Sequence, residues 1–291
     1  MIWQTGQRVF EWMDSPSHHA SISQTLIFGI LNVTPDSFSD GGTFVEPEVA
    51  VQHAIAMVRA GADIIDVGGE STRPGAQPVC VDEEISRVLP VIKGLRNACE
   101  VAISIDTMKA AVAHAALEAG ASIINDVSAL TADRDMVRVA RQSNAGIVLM
   151  HMRGKPATMQ TGDLASEDIV GDVGTYLEQR IVDLEAVGVQ RERICIDPGI
   201  GFGKTADQNV ELIKHLGRLK SLGRPLLLGV SRKSILGAIT GRNVDKREAA
   251  GCAAHCVGLL NGASALRVHD VASAYDVVRT TAALTNGMMN R

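Results

Sequence analysis

The sequence predicts a (β/α)8 barrel, a single α/β domain, on three observations. Eight short apolar runs recur between residues 26 and 268. Segments with helical spacing lie between them, and the residues that finish nearly every run are polar. Strand and helix alternating without a shift in composition is the pattern of a parallel sheet clad by helices, and a barrel of about 250 residues fits a 291-residue chain. A doubly wound open sheet is the alternative; eight units and no dinucleotide-binding glycine fingerprint favour the barrel.

The runs occupy residues 26–33, 64–67, 101–105, 122–124, 147–150, 194–196, 226–230 and 265–268. Each is too short for a helix and suits a strand buried on both faces. Helical spacing marks 49–59, 82–99, 109–119, 133–143, 167–187, 207–221, 233–262 and 271–284, the seventh broken near Gly241. Ala60-Gly61, Ala119-Gly120 and Val187-Gly188 end three of them with glycine as a left-handed cap. Residues 1–25 are polar and irregular, an N-terminal extension in which residues 3–12 form a small hairpin that plugs one end of the domain. Residues 26–291 make the barrel.

Composition narrows the function. A net charge of −5 and a pI near 5.9 argue against nucleic acid as a partner. No apolar run approaches the ~20 residues of a membrane span, and no basic segment precedes an apolar one at the N-terminus. A soluble, cytoplasmic protein is expected. Five cysteines, odd in number and without a C-x-x-C, suit reduced thiols. Cys252, His255 and Cys256 share a helix face, which a packed helix explains better than a metal site.

The residues that finish the strands carry the chemistry: Asn32, Gly68-Gly69-Glu70, Asp106, Asn125-Asp126, His151, Asp197, Ser231 with Lys233, and Arg267 with His269. In a parallel barrel these ends converge on one face, where active sites lie. Asp106, Asn125 and Asp197 come from three strands and offer two carboxylates and an amide. A carboxylate only accepts, so it pairs with a heterocycle edge that carries adjacent N–H and NH2 donors, and the amide suits a mixed edge. The set fits a flat, amide-like nitrogen heterocycle better than a metal, for which Asn125 is an indifferent ligand. Arg73, Lys233, Arg267 and His269 add cations, and Ser231 is placed to cap a helix opening at Arg232, a combination suited to phosphate or carboxylate. The run 199–205, G-I-G-F-G-K-T, is not a nucleotide P-loop, because Pro198 stands where that motif needs glycine.

Two connections are unusual. Residues 34–47 are longer than an ordinary strand-to-helix loop and contain Asp36, Phe38 and Gly41-Gly42. Residues 70–78 carry Ser71, Thr72 and Arg73 before Pro74-Gly75. Long loops over a barrel mouth commonly exclude water from reactive intermediates.

These stretches closely resemble the dihydropteroate synthase family. The matching segments are G-I-L-N-V-T-P-D-S-F-S-D-G-G (29–42), G-G-E-S-T-R-P-G (68–75), S-I-D-T (104–107), I-N-D-V (124–127), M-H-M-R-G (150–154), I-D-P-G-I-G-F-G-K (196–204), G-V-S-R-K-S (229–234) and R-V-H-D-V (267–271). The resemblance implies condensation of 6-hydroxymethyl-7,8-dihydropterin pyrophosphate with p-aminobenzoate, a requirement for Mg2+, and a homodimer. It implies that Asp106, Asn125, Met150, Asp197, Phe202, Lys233 and Arg267 hold the pterin. Asn32 would serve the Mg2+–pyrophosphate, with Thr72, Arg73, Arg267 and His269 on the phosphates. Phe38, Pro74 and Ser234 would meet the aminobenzoate, and Asp36, Lys233 and Arg267 would act in the chemical step. A folate-dependent methyltransferase barrel and a catalytically silent paralogue are the rival readings.

Overall fold

The computed structural model describes residues 1–6, 8–12, 22–34, 47–72, 75–162 and 164–287. Eight parallel strands form the barrel: β3 (Leu26–Asn32), β4 (Ile64–Gly68), β5 (Ala102–Asp106), β6 (Ile123–Asp126), β7 (Gly146–Met150), β8 (Ile194–Asp197), β9 (Leu227–Leu228) and β10 (Ala265–Val268). They are ordered β8-β7-β6-β5-β4-β3-β10-β9. A parallel bridge between Ile196 and Leu226, with the Ile196 N–H donating to the Pro225 carbonyl at 2.9 Å, brings β8 to β9 and rounds off the barrel. The expected (β/α)8 architecture is therefore the observed one.

The helices around it are α1 (Pro47–Arg59), α2 (Val81–Ala98), α3 (Ala110–Glu118), α4 (Met136–Gln142), α5 (Ile169–Ala186), α6 (Ala206–Lys214), α7 (Ser234–Thr240), α8 (Glu248–Leu260) and α9 (Val271–Asn286). Outward strand residues such as Leu31, Val67, Ile105, Ile124, Leu149 and Ile196 form one cluster with helix residues including Met57, Leu95, Leu177 and Val278. Near their amino-terminal ends the strands are apolar on both faces, and toward their carboxyl-terminal ends the inward residues turn polar. None of the helices in the described residues is long and apolar enough to cross a membrane.

Some expected elements are shorter. The helix expected over 207–221 stops at Lys214, and residues 216–222 continue as a 3-10 turn that Gly223 closes at φ +65°. The seventh helical segment divides where Gly241 takes φ +69°, giving α7 and α8 with a short turn between them. The ladder of β9 covers only two of the five residues expected over 226–230. Beyond it the chain turns back, with the Lys233 N–H on the Val230 carbonyl at 3.1 Å and Arg232 in the left-handed region at φ +59°.

Strands β1 (Ile2–Thr5) and β2 (Arg8–Glu11) pair as an antiparallel hairpin at the amino-terminal ends of the barrel strands. Trp3 is fully buried among Phe28, Ile64, Ala102, Ile123, Val148, Cys195, Leu227 and Ala265, the bottom layer of inward residues. Its ring stacks on Phe28 at 6.0 Å, and its indole N–H donates to the Arg193 carbonyl at 2.9 Å. Arg224 ties the hairpin to the floor through the Ile2 carbonyl at 2.7 Å. A dry, sealed bottom leaves the carboxyl-terminal face as the open end.

Candidate active site

Inward side chains change character along each strand. Phe28, Ile64, Ala102, Ile123 and Val148 make the apolar floor. One step along their strands stand Asp66, Ser104, Asp197 and Arg267, and at the rim Asn32, Gly68, Asp106 and Asn125 lie in register. A cleft of about 480 Å³ opens above them. Asp106, Asn125, Met150, Asp197, Phe202, Lys233, Arg267, Thr72 and His269 all line it, joined by Ile30, Val127, Ile200 and Ser231. Ten residues singled out in the sequence, Ser231 among them, thus meet in one place.

Asp197 closes β8, and its Oδ1 accepts the Gly199 N–H at 2.6 Å. Burial raises its carboxyl above the usual range, while that N–H, Lys233 and Arg267 pull it back. Gly199 takes φ +68°, and a Cβ there would stand 1.9 Å from the His151 carbonyl oxygen, so only glycine fits the turn. Burial raises Asp106 to about 7, opposed by Arg267 and reinforced by Asp66, Glu84 and Asp126. Arg267 donates from Nε to Asp66 Oδ2 and from Nη2 to Asp106 Oδ2, each at 2.6 Å. Burial works against its charge, yet Asp66 and Asp106 hold it more firmly protonated than usual. Lys233 donates to the Ile200 carbonyl at 2.7 Å and lies 4.0 Å above the Phe202 ring; burial lowers it to about 8, against the pull of Asp197. Val127, Met150, Met159 and Phe202, flanked by Met108 and Met152, form an apolar wall of adaptable thioethers.

Acceptors at one end, a cation beside an aromatic ring and an apolar wall suit a flat ring that donates hydrogen bonds along an edge. The buried Oδ1 of Asp106 has no hydrogen-bond partner among the described residues, an acceptor left for a donor.

Other expected residues lie elsewhere. Asn32 does not line the cleft, but its Oδ1 and Asp106 Oδ2 both lie 3.7 Å from where a Gly68 Cβ would be, so they border the space above Gly68. Ser234 opens α7, exposed and apart from the cleft lining. Asp36, Phe38, Arg73 and Pro74 lie outside the described residues. Three strand-end residues do not converge. Glu70 pairs with Lys109, Asp126 accepts the N–H and hydroxyl of Ser128, and His151 packs edge-on to Tyr176 at 5.0 Å. Their side chains leave the barrel axis, so polarity at a strand end did not ensure entry to the cleft. Ser231 does not cap a helix, because α7 begins three residues later; its hydroxyl accepts the His269 N–H at 3.2 Å instead.

Two functional-looking residues escaped the sequence reading. Asp66 interrupts an otherwise apolar run, and that interruption was the available signal. Lys204 is buried, with Nζ on the carbonyls of His151, Gly199 and Phe202 at 2.9–3.1 Å, so it ties down the turn after β8 rather than facing a phosphate. Nothing in its spacing announced this.

The sequence matches the pterin binding enzyme family over residues 28–269. It is 43% identical to the dihydropteroate synthase of Synechocystis over 281 residues, 96% of this chain and 93% of that one. The chain belongs to the dihydropteroate synthase family. Membership makes it an enzyme, a transferase of folate synthesis. The fold agrees with solved members of the family. The Xanthomonas albilineans dihydropteroate synthase with 4-aminobenzoic acid is 44% identical, with a TM-score of 0.85 over 90% of this chain and 93% of that one. The Burkholderia cenocepacia synthase complexed with 7,8-dihydropteroate is 40% identical, with a TM-score of 0.85 over 97% and 96%.

The charge state of Asp106 gives a pH prediction. Its folded carboxyl titrates near 7, so acidification below that value converts a charged acceptor into a neutral acid. Pterin affinity, measured by calorimetry between pH 5.5 and 7.5, is expected to fall several-fold toward the acid end. Asp106→Asn should bind weakly and flatten the profile; an unchanged slope in that variant would assign the titration to another group.

Proposed function

We propose that this chain condenses 6-hydroxymethyl-7,8-dihydropterin pyrophosphate with p-aminobenzoate, giving 7,8-dihydropteroate and pyrophosphate, in the cytoplasm, where its five unpaired cysteines would stay reduced. The observation that carries the reading is the meeting of Asp106, Asn125 and Asp197 with Lys233 and Arg267 in one cleft. Met150 and Phe202 sandwich the pterin; the two aspartates and Asn125 take its edge; Lys233 bonds it and Arg267 packs on its face. Thr72, Arg73, Arg267 and His269 receive the diphosphate, and Phe38, Pro74 and Ser234 receive the aminobenzoate.

The residues present fit Mg2+. Among the described residues no three His, Cys, Asp or Glu side chains gather as a metal cage. Mg2+ needs none, since it commonly keeps waters and takes one or two protein oxygens beside substrate phosphates. Asn32 Oδ1, bordering the cleft beside Asp106, would hold it. Bound there it would neutralise charge on the departing diphosphate.

The step is SN1-like. The bond from the pterin methylene to the diphosphate oxygen breaks, and its electron pair leaves with the diphosphate, which Arg267, Arg73 and His269 stabilise. The methylene cation is conjugated with the ring, and Asp36 stabilises it while water is kept out. The aniline nitrogen attacks with its lone pair, and the proton it then loses passes to the departing diphosphate, so no strong general base is required.

Purified protein with both substrates and Mg2+ is expected to release pyrophosphate in step with dihydropteroate; no release would overturn the assignment. Asp197→Ala removes charge-assisted hydrogen bonds that contribute roughly 1.5–3 kcal/mol each. It should weaken pterin binding by about a hundredfold or more, and near-normal binding would refute the pocket. Asp36→Ala should slow single-turnover chemistry by about 10²-fold or more, as removing a stabilising group from a developing charge does. An unchanged rate rules out its part in the cation.

The enzyme is a homodimer in this reading. Val210 of α6, Ile239 of α7 and the α8 residues Val257 and Leu260 are exposed on helices that pack together, an apolar surface that a second copy would cover. Light scattering should give twice 30.8 kDa, and Ile239→Glu should shift it toward one chain. A wild-type mass of one chain at micromolar concentration would exclude the dimer.

A further inference from the structure

Asp66 stands in the middle of β4 with its side chain inside the barrel. It pairs in register with Ser104, whereas Asp106 pairs with Gly68, so Asp66 lies one layer beneath the rim. It is fully buried and does not line the cleft. Its Oδ2 nonetheless accepts from two residues that do: Asn125 Nδ2 at 3.0 Å and Arg267 Nε at 2.6 Å.

A carboxylate facing a guanidinium in an apolar interior is a poor source of stability, because desolvation of both charges offsets most of their attraction. Its geometric effect is larger. An ionised carboxylate has no proton to donate, so the Asn125 amide must turn its NH2 group toward Asp66. The Asn125 oxygen, on the opposite branch of the same planar amide, is then turned away from Asp66 as the acceptor for the cleft, with one N–H of the NH2 group left beside it. Reversing the amide would set two buried acceptors face to face, a heavy penalty. Asp66 Oδ2, which accepts from that NH2 group, also takes Arg267 Nε at 2.6 Å, while Asp106 Oδ2 takes Nη2 at 2.6 Å. That edge is thereby occupied, and the planar group is fixed at two points. What Arg267 retains for a ligand is Nη1, the second N–H of Nη2 and its flat face.

We propose that Asp66 is a positioning residue: from beneath the cleft it fixes Asn125 as a hydrogen-bond acceptor and sets the plane of Arg267, so that the site selects a heterocycle presenting a donor to Asn125. The inference rests on the reading of the cleft as a pterin site and adds how its polarity is set. Asp66 touches no substrate; it acts through the two residues that do.

Asp66→Asn keeps the shape and removes the constraint, since an amide at position 66 donates as readily as it accepts and Asn125 is free to reverse. Calorimetry with 6-hydroxymethylpterin should show affinity reduced at least tenfold. The preference for the pterin ring over its 2,4-dioxo analogue, in which the amino donor becomes an acceptor, should narrow. KM for p-aminobenzoate at saturating pterin substrate should stay within about twofold, a split that loss of folded protein alone does not produce. A folded Asp66→Asn that binds pterin within twofold of wild type, with the same ring preference, would overturn the proposal. Should that variant fail to fold, a pterin-bound crystal structure of the wild-type protein decides. Asn125 and Arg267 still bonded to Asp66, with Asp66 clear of the ring, is the expected result; either residue rotated away, or Asp66 itself on the ring, overturns it. Wild-type protein that binds no pterin sinks the reading of the cleft as well, whereas normal wild-type binding with an indifferent variant sinks this inference alone.

Discussion

Two carboxylates share one guanidinium near the axis of a barrel whose floor is apolar, and the rest of the site depends on that arrangement. Asp66 and Asp106 lie on adjacent strands, β4 and β5, and Arg267 lies on β10, beyond β3 in the sheet. Pairing of β10 with β3, in a sheet curled about one axis, brings together groups separated by 201 and 161 residues. None of the three would be tolerable there alone, because an unpaired charge in a low-dielectric interior is costly. Together they leave a site with more acceptors than donors, which is the complement of a donor-rich ring.

The lower half of the barrel makes this possible. Trp3 and the floor residues fill the bottom, so water reaches the charged layer only from the open end. With water excluded, each hydrogen bond at the cleft is stronger and each unpaired group costs more. The turn after β8 is fixed by the same logic. Lys204 binds three carbonyls and Gly199 occupies a conformation closed to other residues, so Asp197 and Phe202 are held before any ligand arrives.

Part of this was legible from the residues alone. The alternation of runs gave the barrel, and the polar strand ends gave the face on which to look. The family resemblance supplied roles for Asp106, Asn125, Asp197, Lys233 and Arg267, and the fold brings all five into one cleft. Asp126 ends β6 and faces outward because it follows the inward Asn125, whereas Glu70 and His151 lie just past their strands and turn elsewhere. Polarity at a strand end is visible in one dimension; the direction of a side chain past the end of a ladder is set by the turn that follows.

By itself, then, the sequence determined the period of the elements, the alternation of strand and helix and the set of chemical groups available at one face, because these are local properties of spacing and residue type. Only the tertiary structure decided that Asp66 lies beneath the cleft, that Lys204 is turned to the backbone, and that the Asn125 amide faces downward. Each of these depends on which distant groups share a buried volume. A charge there has no solvent to turn to, and the nearest partner is chosen by the closure of the barrel rather than by the neighbouring residues in the chain.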